Sequence, residues 1–309
     1  SSGGGVGGDE PTGDEIGDEP ATVTPALSGK GWLELPGNPG NEEYVQATYM
    51  DPTFDKVSHD DQTLRNYTYN YDRDMLTSLW VAYPLYADAF SGSNSASWKG
   101  DPNVPDSDEV KIHNHSYGVN VGSLDNTGYD ETLDYYARGH QIPNGDRQTS
   151  ASKNSQTYYV TNSTPQIDKG FNGGIWKSLE ESIRTVAKDT DTVYVVTGAA
   201  FQKKGEAARN VTWILPQDDT KECPVPNYYW KVFLKVKRSG GKLSNASAVG
   251  FWYEHKSYKD SGKKYDDAEF VTSVDQIEKW TGFDFFVNVP DALETAAETN
   301  ANWNTFKSF

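Results

Sequence analysis

One cysteine, Cys223, stands in 309 residues. That excludes an internal disulfide and any cysteine-built metal cluster. It does not fix the compartment. No apolar run reaches the roughly 18 residues that a spanning helix needs. No basic-plus-apolar leader stands at the N-terminus, and the chain starts at Ser1 without Met, which leaves open a leader removed by processing or by the choice of the expressed segment. Positive charge is also scarce: 28 Lys and Arg face 45 Asp and Glu, for a net charge of −17. Polyanion binders normally carry a basic footprint. Whole-surface attraction to nucleic acid is therefore disfavoured, and any chemistry on a polyanion needs a local positive groove. No phosphate-cradling P-loop and no Gly-x-Ser-x-Gly nucleophile elbow occurs.

Residues 1–29 hold six acids, no Lys or Arg, and much Gly, Pro and Thr; without them the net charge is −11. Such a stretch cannot bury enough apolar surface to offset ordering, so it is expected to be a disordered acidic tether. Its Ser-Ser-Gly-Gly-Gly start resembles the spacer that follows the lipidated Cys of bacterial lipoproteins, a residue that would lie upstream of Ser1. Residues 30–309 are expected to form one domain. Short strands are expected at Gly31–Pro36, Tyr67–Tyr71, Leu76–Tyr86, Thr192–Gly198, Asn210–Leu215, Tyr228–Val236 and Ala246–Tyr253. In Tyr228–Val236 the alternation of Tyr229, Lys231, Phe233 and Lys235 with Trp230, Val232 and Leu234 predicts a half-buried strand. Ser91–Asp108 reads as loop. The best helix is Phe171–Lys188, with Ile175, Leu179, Ile183 and Val186 as its apolar stripe. Ser273 opens a capping-box helix to about Trp280, and Pro290–Asn300 is a final one. The fold class expected is α+β, a central mostly antiparallel sheet flanked by helices. Five Asn-x-Ser/Thr sequons, at Asn66, Asn114, Asn162, Asn210 and Asn245, matter only in a glycosylating source.

Between Asp134 and Arg184 lies a denser pattern. It contains Arg138-Gly139-His140, Pro143, Asp146-Arg147, Asn162, Asn172, Glu180 and Arg184. Phosphodiester hydrolysis needs a base for water, a cation for developing charge, and donors for the phosphate. His140 suits the base, since imidazole titrates near neutrality. Gly139 would allow close approach to it. Arg138 and Arg147 offer forks for phosphate oxygens. Asn172 and Glu180 offer an amide and a carboxylate oxygen, enough for a Mg²⁺ that keeps its waters. On a helical wheel Glu180 lies about 80° and Arg184 about 120° from Asn172. Glu180 and Arg184 are also an i,i+4 pair. Taken singly, each residue has a blander role: a surface His, a solvated salt bridge, a turn Asn, an N-cap Asn. Only their joint spacing points to chemistry. His113 and His115, the one close His pair, read as loop.

These blocks resemble the DNA/RNA non-specific endonucleases with the ββα-metal fold, the Serratia-nuclease and endonuclease-G-like family. The motif Asp-Arg-Gly-His appears as Ala137-Arg138-Gly139-His140, followed by Pro143 and Asp146. The second block appears as Asn162–Gln166 and Asn172–Arg184. Further likeness runs through Trp80–Tyr83, Ser97–Pro102, Val193–Gly198, Val225–Val232 and Ser273–Phe286, so it covers roughly residues 65–305. The resemblance implies a ββα-metal site with His140 as general base and Asn172 as the direct ligand of Mg²⁺, with Mn²⁺ or another divalent ion able to substitute. It implies that Glu180 binds the metal's waters, that Arg184 and Arg138 hold phosphate or stabilise the leaving group, and that Asn162 shapes the site. Products would carry 5′-phosphate and 3′-hydroxyl ends. The sequence departs from the family at Ala137, where the family has Asp, and at Ala96, where it has Arg.

The expectation is therefore a magnesium-dependent, sugar-non-specific endonuclease acting on DNA and RNA. Its setting would be exported: secreted, periplasmic, or a surface lipoprotein. His140, Arg138, Glu180, Arg184 and Asn162 would be catalytic, Asn172 the metal ligand, and Arg147 and Lys231 substrate contacts. Two rivals remain: a non-catalytic, surface-tethered glycan- or nucleic-acid-binding module on a decayed nuclease fold, and a phosphodiesterase for small nucleotides. The basic run Lys231, Lys235, Lys237, Arg238 and Lys242 discriminates. Facing His140 it favours polymers; pointing away it favours small substrates.

Overall fold

The computed structural model describes residues 22–23, 31–37, 44–50, 65–110 and 116–309. In chain order the strands and helices begin with β1 (Thr22–Val23), β2 (Tyr44–Met50), β3 (Arg65–Asp72), β4 (Thr77–Leu85), β5 (Ser116–Asn120) and β6 (Tyr135–His140). Next come α1 (Ala151–Gln156), β7 (Ser163–Ile167), α2 (Ile175–Lys188), β8 (Val193–Ala200), β9 (Thr212–Ile214) and β10 (Cys223–Val225). The chain closes with β11 (Tyr228–Ser239), β12 (Lys242–Glu254), β13 (Val271–Thr272), α3 (Val274–Thr281), α4 (Asp291–Glu298) and α5 (Trp303–Ser308). The main sheet has eight strands in the order β1-β2-β3-β4-β8-β11-β12-β13, every pair antiparallel. This is the α+β architecture expected.

Both faces of that sheet are covered. On one face Tyr229, Phe233, Val195 and Tyr83 pack with Phe171, Trp176, Leu179 and Ile183 around α2. On the other, Trp230, Val232 and Trp80 pack with Val274, Ile277 and Phe285 beside α3 and α4. Period two on β11 therefore does not separate an inner face from a wet one. Tyr228 to Lys235 is buried throughout, because a central strand with layers above and below has no solvent side.

Several other expectations are corrected. Gly31–Pro36 is not a strand. Leu35 N–H bonds back to the Trp32 carbonyl at 3.2 Å, and this buried turn carries Glu34, which is ion-paired with Arg65 (Nη2 to Oε2, 3.0 Å). The Arg65 guanidinium also lies 4.9 Å over Trp32. The tether expectation falls outside the described residues, except that Thr22 and Val23 pair with Thr48 and Ala47. The long helix starts at Ile175, not Phe171. Asp168–Asn172 is a π-turn, held because Asp134 accepts the N–H groups of Lys169 and Gly170 at 2.9 and 3.0 Å. Gly173 and Gly174 then separate it from α2. Val186 is half-buried, and Trp176 and Ala187 complete the inward stripe. The helix opened by Ser273 is as expected: its hydroxyl accepts from Gln276 N–H. The sequon residues Asn66 and Asn162 are fully buried.

Removing one partner of a buried ion pair strands the other charge. Glu34→Ala is accordingly expected to cost about 3 kcal/mol or more in urea unfolding, while Glu34→Gln, which still accepts hydrogen bonds, costs less. Equal stability of Glu34→Ala and wild type would show that Arg65 does not depend on this pair.

Candidate active site

A second sheet, β5-β6-β7, is antiparallel and projects the site residues. Arg138 pairs with Pro165, Gly139 with Thr164 and His140 with Ser163 across β6 and β7. With the π-turn and α2 following, this is a ββα unit. Arg138, His140, Pro143, Asn144, Asn172, Glu180 and Arg184 border one cleft, of cavity volume about 320 Å³. Asn172 reaches it from the π-turn rather than from the helix wheel. Among the described residues nothing hydrogen-bonds its side-chain amide.

His140 sits between two rings. Its centroid lies 4.6 Å from Trp98 and 4.8 Å from Tyr158, the latter edge-on. Asn144 Nδ2 donates to the Tyr158 hydroxyl at 2.9 Å, fixing that wall. Burial, and then the nearby Arg138 charge, pull the His140 pKa down to about 3, so its ring is neutral around pH 7. Its Nε2 is buried and has no hydrogen-bond partner, as do Arg138 Nε and Gln166 Oε1. Orphaned buried polar atoms are rare in folded proteins. Two of these three lie on residues that border the cleft. The Arg138 guanidinium lies 5.1 Å over Trp98; burial lowers its pKa to about 10, leaving it charged.

Arg184 is oriented by Asp146, not primarily by its helical neighbour. Nε donates to Asp146 Oδ1 at 2.6 Å, whereas Glu180 Oε2 stands 3.8 Å from Nη2. Tyr83 on β4 donates to the other Asp146 oxygen at 2.8 Å. Burial pushes Glu180 up towards neutrality, opposed by the charges of Lys231 and Arg184. Gly139 has a different use from the one expected. A Cβ there would sit 2.1 Å from Gln166 Oε1, so the glycine admits the Gln166 side chain, not substrate.

Two expected roles are corrected, and a third, that of Asn162, keeps its site-shaping part only. Arg147 is fully buried, its donors engaged with Asn66, with the Asp146 carbonyl and with the Pro84 carbonyl, so it cannot hold phosphate. Lys231 is buried beneath α2, 4.5 Å from the Trp176 ring and bonded to Thr197 Oγ1 at 3.0 Å; it acts on the cleft only through its charge. Asn162 is buried and does not touch the cleft. Its amide accepts from Ile142 N–H and donates to the Ile142 and Thr157 carbonyls, which positions the loop after His140. Two further members of the basic run are engaged away from the cleft. Lys235 caps carbonyls of α5 and Lys237 lies over Phe309. Beside the cleft is a different set. Lys169, Lys259, Lys263 and Lys264 line a groove of about 380 Å³ with Tyr258 and Tyr265, reached across Gly173 and Gly174. Asp146 is part of the sequence motif but without this orienting role, and Trp98, Tyr158 and these lysines are given no role by spacing, because only the fold brings them to the cleft.

A family model described as DNA/RNA non-specific endonuclease matches residues 46–292. The chain belongs to the DNA/RNA non-specific endonuclease family. Its relatives include the nuclease of Serratia marcescens, 27% identical over 235 residues, or 75% of this chain and 77% of that one. Nuclease C1 of Cunninghamella echinulata is 26% identical over 256 residues, 81% and 89% of the two chains. Mitochondrial nuclease 1 of Schizosaccharomyces pombe is 26% identical over 191 residues, 62% of this chain. The chain spans about half the length of that relative, 53%. A chain of the solved EndoG/EndoGI complex superposes with a TM-score of 0.60 at 21% identity, covering 88% of this chain and 96% of its own, which shows a shared fold.

His255 supports the site from behind. Its Nε2 accepts from Ile167 N–H at 3.0 Å and its Nδ1 faces the Pro226 carbonyl at 2.8 Å, so the neutral ring ties β7 to the main sheet. Burial lowers its pKa to about 4. The unfolded chain takes this proton near pH 6.5, the folded chain only near 4. The contribution is therefore intact above about pH 6.5 and is lost as pH falls towards 4. The difference in unfolding free energy between wild type and His255→Gln should shift by roughly 2 kcal/mol across that window. A pH-independent difference would refute the assignment. At the cleft, Asp146→Ala should release Arg184 and lower kcat/KM on nucleic acid by roughly tenfold or more, and an unchanged value would show that Arg184 is held otherwise.

Proposed function

We propose that this protein is a metal-dependent endonuclease that hydrolyses phosphodiester bonds in both DNA and RNA, leaving 5′-phosphate and 3′-hydroxyl ends. The observation that carries this is the neutral His140 with an unpartnered Nε2, on one cleft with Asn172, Glu180, Arg138 and Arg184. The neutral His140 ring accepts a proton from the attacking water. The water oxygen bonds to phosphorus as the bond to the 3′-oxygen breaks; that oxygen takes a proton from solvent water to leave as a hydroxyl, and His140 gives its proton back to solvent to close the cycle. Arg138, propped on Trp98, and Arg184, held by Asp146, bind the non-bridging oxygens. The free Asn172 amide and the Glu180 carboxylate are oxygen donors, which suits hydrated Mg²⁺, with Mn²⁺ or another divalent ion able to replace it. When bound there, the ion would neutralise charge on the phosphate and the departing oxygen.

Lysines at the neighbouring groove favour a polymeric substrate. Lys169, Lys259, Lys263 and Lys264 supply a local positive track on an otherwise acidic body, with Tyr258 and Tyr265 as stacking surfaces. The β11 lysines Lys231 and Lys235 are buried and do not line the cleft, which favours the small-nucleotide reading, and the same assay separates the two. The acidic, Gly-rich residues 1–29 support an exported setting: secreted, periplasmic, or surface-held by a lipid upstream of Ser1.

Plasmid and RNA should both be cut in Mg²⁺ and spared in EDTA. His140→Ala should lower the rate about 10²–10⁴-fold, and Asn172→Ala should require far more metal. The triple change of Lys259, Lys263 and Lys264 to Ala should raise KM for plasmid several-fold while leaving hydrolysis of a small phosphodiester unchanged. Intact polymers with a turned-over small ester would establish the small-nucleotide reading. No cleavage of any of them would establish the binding module.

A further inference from the structure

The opposite face of the main sheet carries a second cluster that the cleft does not use. Asp275 and Glu278 lie one turn apart on α3, and Glu294 and Glu298 one turn apart on α4, with Asp284 in the connection. Carboxylate oxygens of Asp275, Glu278 and Glu298 all stand within 4.8 Å of one another. Like charges at this spacing repel. The charges acting on Glu298 come from Glu278, Glu294, Asp275 and Asp284, all acids.

A second, independent observation concerns Glu298 itself. It is only 5% exposed, and its Oε1 is buried without a hydrogen-bond partner. A carboxylate oxygen in that position carries a large desolvation cost unless a proton or a cation reaches it. Glu278 is partly engaged, accepting Phe285 N–H at Oε2 (2.8 Å). Its carboxyl also lies within hydrogen-bond reach of the Asp284 side chain.

We propose that Asp275, Glu278 and Glu298 form a binding site for a calcium ion that clips α3 to α4. The donors are all hard oxygens, with neither imidazole nor thiolate. Mg²⁺ usually keeps several waters and uses one or two carboxylates, whereas Ca²⁺ accepts many carboxylate oxygens in flexible geometry. Three carboxylates with two more close by match the second pattern. Burial and mutual repulsion raise Glu278 to about 7 and Glu298 to about 9, so protons are the competitor for the site, and calcium uptake would release them.

The test uses the full chain, stripped with EDTA, dialysed, and held at pH 8 and fixed ionic strength. Calcium chloride should raise Tm by at least about 3 °C with a saturating dose dependence. Terbium should give tryptophan-sensitised luminescence, through Trp280 on α3, that calcium displaces. Glu298→Gln should melt at or above the stripped wild type, because the buried neutral amide needs neither a proton nor an ion, and should lose both the calcium shift and the terbium signal. Asp275→Asn, a more exposed change, should weaken both. Asn172→Ala should keep both. A Tm indifferent to calcium would overturn the proposal and leave shared protons as the occupants. A calcium shift that survives Glu298→Gln and Asp275→Asn, or one abolished by Asn172→Ala, would overturn it by placing the ion elsewhere.

Discussion

The site depends on one buried carboxylate. Asp146 takes a hydrogen bond from Tyr83 on the main sheet and the guanidinium of Arg184 on α2. Three segments far apart in the chain are thereby fixed at one point: β4, the turn after His140, and the helix behind the metal-ligand candidate. Both oxygens have partners, so the carboxylate is satisfied while it orients a cation towards the cleft. Gly145 belongs to the same arrangement, since a Cβ there would lie 2.7 Å from Arg184 Nη2. Orientation of the Arg184 guanidinium is thus built into the packing of the sheet against the helix.

Beneath this point runs a line of alternating charge. Lys231 on β11 lies under α2, and its ammonium opposes the burial effect on Glu180, as Glu180 opposes the effect on Lys231. Each charge would be costly to bury alone. The site therefore gets local positive potential from residues that never meet the substrate. Net acidity of the body and a cationic cleft are compatible because the cations are few and their positions are fixed.

Much of this was legible in the sequence, and the exceptions have physical causes. Long apolar strands such as β8 and the stripe of α2 announce themselves by period. The capping Ser273 does so by its hydroxyl three residues ahead of Gln276. By contrast α1 is Ala-Ser-Lys-Asn-Ser-Gln with five of six residues buried, so no apolar rhythm exists to read. Its polar groups are used by Asn66, Tyr67 and Tyr86. Arg147 and Lys231 looked like phosphate contacts because charge usually lies outside. Their burial depends on carbonyls, rings and a hydroxyl supplied by distant segments, which linear spacing does not record. His140, Asn172, Glu180 and Arg184 were placed together correctly by joint spacing. The walls that tune them, Trp98 and Tyr158, come from loops whose approach only the fold reveals. Ala137 and Gln166 pair across β6 and β7, and the Gln166 side chain reaches over Gly139, so the position where the family has Asp is now a small buried residue beside a glutamine.

Cys223 lies in β10, nearly fully buried, and burial pushes its thiol well above the usual range. Thiolate, not thiol, is the reactive form. Thiol-directed oxidants and alkylating probes should consequently find no reactive native thiol in this chain. A cysteine introduced anywhere on the surface would be the only reactive one, which makes the unmodified sequence a ready background for site-specific fluorescent or spin labelling around the cleft.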